Sequence, residues 1–229
     1  MINIPVHNQS GKKVGTLSVD AEVLGGKVHP VLLKQAYVRQ HANRRLGTVK
    51  TRRRGETAYS TRKLFRQKGT GNARRGSRGA NILRGGGHGL AKRPHSWRQG
   101  MPSKMRGLAN RNALLAKAID GEIKIIDSFA PKQPSSKQFL TLLNALEIDR
   151  TCLLAVDSTS SPAARSAQNL HHVNLIQIDR LNTFDLLNHR FVLAEKGSFE
   201  AYLSRMKDQL GAIPAHRQLA ASPKQEAAS

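Results

Sequence analysis

Between Arg44 and Arg111 the chain carries 20 lysines and arginines against a single acid, Glu56, and almost nothing with which to build a core. That stretch holds +19 of the net +23 carried by all 229 residues. Its apolar side chains stand alone (Leu64, Phe65, Ile82, Leu83, Trp97), and glycines recur at 69, 71, 76, 79, 85, 86, 87, 89 and 100. Ordering so glycine-rich a backbone costs about 1–2 kcal/mol per residue, and few apolar contacts are there to offset it. On its own the stretch is expected to be disordered. A dense polyanion would order it, because glycines let a backbone approach phosphates where a side chain would collide.

The flanks are close to neutral and carry the periodicities of a folded domain. Residues 2–6 and 14–19 alternate apolar and polar around turn residues 8–11, which predicts a hairpin, with Pro5 placing the first strand at an edge. His29 to Arg45 reads as a helix with its basic residues late, where they suit the dipole. After the basic stretch, a helix from Pro102 carries an apolar stripe of Met105, Leu108, Ala109, Leu115, Ala116 and Ile119 and stops at Gly121.

From there strands and helices alternate. Strands are predicted at 123–126, 151–156, 173–178 and 191–194. Ser135 caps a helix containing Phe139, Leu142, Leu143 and Leu146. Ser161-Pro162 opens another through Leu170, Phe184 to Leu187 makes one turn, and Ser198 caps the last. The continuous apolar run 151–156 is that of a strand buried on both faces. The fold class is therefore α/β: a mostly parallel sheet with helices on both faces, interrupted by a long extended basic loop. Residues 1–48 and 102–210 form one globular domain, 49–101 the loop, and 211–229, rich in Ala, Pro, Gln and Ser, a disordered tail.

Composition narrows the function. A pI near 11.2 points to nucleic acid or an acidic membrane surface. No apolar run approaches the ~18 residues of a spanning helix, and the basic stretch has no amphipathic face, so no membrane partner is expected. The opening Met-Ile-Asn-Ile-Pro lacks the charge-then-apolar order of a secretory signal. One cysteine precludes an internal disulfide and fits a reducing compartment.

Enzyme signatures fail in turn. Gly69-Thr-Gly71-Asn-Ala-Arg74 has arginine at the third glycine position of a dinucleotide fingerprint, and Gly85 to Lys92 lacks a Gly-Lys-Ser/Thr core. Cys152 sits in an apolar strand. His88 and His95 lack acid or cysteine partners, and His171 and His172 adjoin too closely to face one metal. Asp127, Asp157 and Asp179 lie at strand ends, where turn and capping roles are commoner than catalysis. No cofactor, metal or small-molecule substrate is expected, and no catalytic residue.

The nucleic-acid reading holds. Phe65-Arg-Gln-Lys68-Gly-Thr-Gly-Asn-Ala-Arg74-Arg-Gly-Ser77, Leu83-Arg-Gly-Gly-Gly87, Lys92-Arg-Pro94 and Pro102-Ser-Lys-Met-Arg106-Gly-Leu-Ala109 together resemble the universal large-subunit ribosomal protein of the "L four" family, of bacterial or organellar type. Members usually carry proline and an aromatic before the triple glycine, where this chain has Asn81 and Leu83. They commonly carry Phe-Gly-Pro after it, where this chain has Leu90-Ala91-Lys92.

The resemblance implies a structural constituent of the large ribosomal subunit, a primary rRNA-binding protein acting early in assembly, with the loop tip in the wall of the nascent-peptide exit tunnel. It implies large-subunit rRNA and neighbouring large-subunit proteins as partners, and a cytoplasmic place on the ribosome. Two other readings stand beside it: a regulator binding an mRNA leader, or an α/β enzyme with a basic appendage.

Phosphate contacts are assigned to Lys68, Arg74, Arg75, Arg78, Arg84, Lys92, Arg93 and Arg98, with Arg44, Arg45, Arg52, Arg53, Arg54, Lys104 and Arg106 flanking them. Gly69, Gly71, Gly85, Gly86 and Gly87 permit close backbone approach. Trp97 either stacks on a base or packs against the globular domain.

Overall fold

The computed structural model describes residues 1–129, 131 and 133–211. The tail expected to be disordered therefore lies outside the described residues from 212 onward, while Gly211 itself closes the last helix.

Strands β1 (Ile2–His7) and β2 (Lys13–Val19) pair antiparallel. Asn8 holds their turn: its Oδ1 accepts from the backbone N–H of Ser10 at 3.0 Å and of Lys12 at 2.9 Å, and Gly11 takes φ +79°. Four further strands, β3 (Ile123–Ile126), β4 (Cys152–Val156), β5 (Val173–Gln177) and β6 (Phe191–Glu195), are mutually parallel, and the sheet order is β2-β1-β3-β6-β4-β5. Pro5 does not mark an edge; β2 is the edge strand and β1 lies inside the sheet. The proline is tolerated because the parallel ladder to β3 uses only Val6 and His7, so no N–H is required of it there.

Alternation along the strands sorts the side chains into two cores. Ile123, Ile125, Leu153, Ala155, Val192 and Ala194 face one, joined by Leu33 of α1 (Pro30–Arg44), Leu114 and Leu115 of α2 (Ser103–Ile119), and Phe199 and Leu203 of α6 (Lys196–Gly211). Ile126, Cys152, Leu154, Val156 and Leu193 face the other, against Phe139, Leu142 and Leu143 of α3 (Ser136–Ala145) and the alanines of α4 (Pro162–Ala167). The short α5 (Thr183–Asn188) adds Leu186 to the first core. The fold is α/β with helices on both faces, as the alternation of elements predicts.

Three caps come from local chemistry. Ser135 Oγ accepts from Gln138 N at 3.5 Å, Ser161 Oγ from Ala164 N at 3.2 Å, and Asn182 Oδ1 from Asp185 N at 2.9 Å. Ser198 is not a cap. The helix already begins at Lys196, and the Ser198 hydroxyl donates instead to Asp157 Oδ2 at 2.7 Å. Helix α4 stops at Ala167, short of Leu170.

The apolar stripe of α2 is also rotated from the one expected. Ile119 and Met105 are exposed, and the buried face includes two polar residues, Asn112 and Lys117. Lys117 Nζ donates to Glu122 Oε2 at 2.5 Å and to the Arg190 carbonyl at 2.8 Å, so its charge is matched where it is buried. Asn112 Oδ1 accepts from His29 N at 3.0 Å and its Nδ2 donates to the Leu24 carbonyl at 3.4 Å, tying the turn before α1 onto α2. Asn112→Ala leaves both backbone groups unpaired, at roughly 1–3 kcal/mol each, so unfolding free energy should fall by about 2–6 kcal/mol. Urea denaturation measures it, and a loss below about 0.5 kcal/mol would contradict the role given to this amide.

The chain divides into two compact units. One comprises Met1–Val38 with the chain from Met101 onward, and the other is Arg39–Gly100. Neither core cluster contains a residue from the second.

Candidate nucleic-acid interface

Regular structure in the second unit, beyond the last turns of α1, is limited to a 3-10 turn at Arg54–Glu56 and one isolated bridge between Lys63 and Ser77. Backbone hydrogen bonds nevertheless fold it back on itself as one long hairpin-like excursion. At its base Asn43 Oδ1 accepts from Gln99 N at 2.7 Å and Asn43 Nδ2 donates to the Gln99 carbonyl at 3.3 Å. Next come His95 N to Gly47 O at 3.0 Å, Thr51 N to Lys92 O at 3.1 Å and His88 N to Arg52 O at 2.8 Å. Farther out Leu64 N donates to Gly76 O at 3.0 Å. The chain reverses at Gly69 and Gly71, whose φ values of +81° and +66° suit glycine and strain other residues.

Only two residues of the unit are buried, Gly79 and Gly87, and they bond to each other, Gly87 N to Gly79 O at 3.1 Å. A Cβ on Gly87 would land on the backbone of Arg53 and Arg54, and one on Gly86 on the Ala80 carbonyl. The triple glycine thus has an intrachain reason: it lets two backbone segments touch where no side chain fits. Gly85, at φ +83°, lies against the Tyr59 hydroxyl.

The cations are spread along both arms. Arg52, Arg53 and Arg54 occupy the outgoing arm, Lys68 the far turn, Arg74, Arg75 and Arg78 the return, Arg84 the approach to the glycine knot, and Lys92, Arg93 and Arg98 the way back to the base. Arg44 ends α1, whereas Lys104 and Arg106 sit in the first turn of α2, in the other unit. Of these predicted cations all but Arg53 and Arg75 are exposed. Arg78 lies 5.6 Å from the centre of the ring of Tyr59, a residue that no motif singles out.

Trp97 finds its partners within the excursion. Arg45 lies over its face at 3.9 Å, a contact of about 0.5–1 kcal/mol at an exposed site, and His95 meets it edge-on at 4.9 Å. Gly47, at φ +67°, leaves room for the ring. Glu56 is the unit's one acid. It accepts from Arg53 N at 3.2 Å and lies 3.6 Å from Lys50. The Arg53 N–H holds its carboxyl below the usual range; burial opposes it, and the Lys50 charge adds a smaller lowering effect. A lowered carboxyl pKa stabilises the turn fully above the ordinary carboxylate range, and that contribution fades as pH falls through the lowered value.

Elsewhere, Cys152, Asp157 and Asp179, tested above as enzyme parts, are held in structural surroundings. Cys152 is buried, and burial pushes its thiol up to about 12, far from a nucleophile's range. Asp157 accepts from Ser198, and Asp179 pairs with Arg205 at 2.5 Å. Among the described residues, no helix is long and apolar enough to cross a membrane, and no three of His, Cys, Asp and Glu gather as metal ligands.

Comparison with known proteins agrees with these features. Residues 17–205 match the family described as the ribosomal protein L4/L1 family. Large ribosomal subunit protein uL4 of Dehalococcoides mccartyi strain BAV1 is 37% identical over 196 residues, covering 85% of this chain and 93% of its own length. The uL4 of Pelotomaculum thermopropionicum is 37% identical over 187 residues, 82% of this chain and 90% of its own. That of Rhodopirellula baltica is 34% identical over 209 residues, 91% and 92%. Each of these relatives is named as a large ribosomal subunit protein. With the match spanning both the α/β sheet and the glycine-knotted basic excursion, the chain belongs to the ribosomal protein L4/L1 family.

Proposed function

We propose that this chain is a structural constituent of the large ribosomal subunit in the cytoplasm and that residues 39–100 bind large-subunit rRNA. The observation that carries the reading is the charge of the excursion: one carboxylate among its many exposed cations, with no apolar core behind them. Phosphate recognition needs that balance, and the arginine-rich choice suits bidentate contacts. The sheet domain supplies the fold and docks against rRNA and neighbouring large-subunit proteins. In this reading binding occurs early in assembly and the reversal at Gly69–Gly71 lies beside the nascent-peptide exit tunnel, which the family membership and an excursion with no core of its own support. The relatives' name, large ribosomal subunit protein, supports the subunit assignment.

Counterion release should dominate the affinity. If six to ten phosphates are neutralised, binding to rRNA fragments weakens roughly 10³- to 10⁵-fold between 50 and 200 mM salt. Filter binding at three salt concentrations measures the slope. A slope near zero would overturn the electrostatic account.

A further inference from the structure

Helix α2 holds a glycine that nothing inside the chain requires. Glycine within a helix weakens it relative to alanine, yet a Cβ on Gly107 would meet nothing within 4 Å. The position lines a cleft of about 580 Å³ bounded by α2, the turn after β5 and α6. The base of the cleft is apolar, made by Leu181, Tyr202 and Met206. Lys104 and Arg111 stand on its α2 side, one helical turn before and after Gly107. Neither pairs with a carboxylate among the described residues, and Arg111 Nε reaches only the Gly107 carbonyl, at 3.4 Å. Asp179, the one carboxylate among the described lining residues, is taken by Arg205.

We infer that this cleft is a docking groove for an acidic segment of a neighbouring large-subunit protein, which seats an apolar side chain on Leu181, Tyr202 and Met206 and sets a carboxylate beside Lys104 and Arg111. Gly107 then has a reason, because the missing side chain lets the segment close on the backbone of α2. Charge complementarity selects an acidic partner, since Lys104, Arg111 and Arg205 face a single carboxylate. The base of the groove selects protein over RNA. Apolar area is complementary to a side chain and offers a phosphate nothing, and Asp179 repels one. The cations of the excursion, by contrast, have no apolar core behind them. Lys104 is thereby assigned a carboxylate rather than a phosphate. Only the source of the segment rests on the large-subunit reading; the chemistry of the groove does not.

Large subunits are purified from cells whose only copy of this protein is the natural chain or a variant. One portion is treated with carbodiimide, which joins a lysine amine to a carboxylate it already touches. Another is irradiated with ultraviolet light, which joins protein to rRNA. Mass spectrometry should find Lys104 joined to an Asp or Glu of another large-subunit protein. Gly107→Leu fills the groove and should lower that yield about ten-fold, while the purified variant melts no lower than the natural chain. Arg111→Gln should lower the yield about three-fold, and it replaces Gly107→Leu if that variant fails to fold. Lys137→Gln, an exposed cation removed on α3, should leave the yield within about two-fold. An unchanged yield from a folded Gly107→Leu or Arg111→Gln chain overturns the groove. Crosslinks from residues 103–111 to rRNA, with no carboxylate adduct, give the cleft to rRNA and overturn the protein partner. An adduct from Lys104 to Glu226 gives it to the chain's own end and overturns the partner equally. A natural chain missing from the subunits overturns the large-subunit reading, and with it the source of the segment, which sedimentation registers before any crosslink is made.

Discussion

Joining Gly47 to His95 through a short Gly/Ser turn, with residues 48–94 removed, should leave a soluble protein that unfolds cooperatively near the natural melting temperature. It should bind rRNA fragments roughly 10³-fold or more weakly at low salt, with a much flatter salt slope. The gap is closable because His95 N already donates to Gly47 O at 3.0 Å. The fold should survive because both core clusters are built without any residue of the excised segment, and β4 is buried along its whole length. The affinity should not survive, because 14 of the 38 basic residues leave with the segment and only one acid goes with them. Calorimetry and filter binding on the same preparation separate the two effects. A chain that no longer folds, or one that binds rRNA as tightly as before, would show that fold and affinity are not divided in this way.

The second large effect is expected at one glycine. Gly87→Ala places a methyl group on the backbone of Arg53 and Arg54 and disrupts the contact between the only two buried residues of the excursion. Overpacking of that kind costs about 1–3 kcal/mol. If binding must supply it, rRNA affinity falls roughly 5- to 150-fold. The sheet domain should melt unchanged. Gly76→Ala is the matched control: a Cβ there meets nothing within 4 Å, and its affinity should stay within about two-fold of the natural chain. Equal losses at both positions would mean that glycine content, not this contact, is what matters.

Most of the fold was legible because it depends on local periodicity. Strands β3 and β4, the Ser135 and Ser161 caps and the helix ahead of Gly121 follow from alternation and capping chemistry within a few residues of each other. What escaped depends on long-range partners. Nothing near Ser198 reveals that Asp157, 41 positions away, takes its hydroxyl. Asn112 and Lys117 lie outside the apolar stripe expected of α2, and their burial is explained only by His29, Leu24, Glu122 and Arg190, which bond to them. Pro5 reads as an edge residue because the two-residue length of the β1–β3 ladder is not written near it.

The interface divides along the same line. Charge and glycine content are compositional, so the cationic excursion could be outlined directly. The purpose of particular glycines could not, because Gly87 is explained by Arg53 and Arg54 across the hairpin, and Gly69 and Gly71 by their positive φ.

The central claim, that residues 39–100 carry most of the rRNA contacts while the sheet domain carries the fold, is tested most directly by mapping rRNA crosslinks along the chain in purified large subunits. Crosslinked peptides should concentrate between Arg44 and Arg98, including Lys68 at the far turn and the arms on either side of the Gly79–Gly87 contact. Crosslinks confined to the sheet domain, with none between residues 49 and 100, would contradict it.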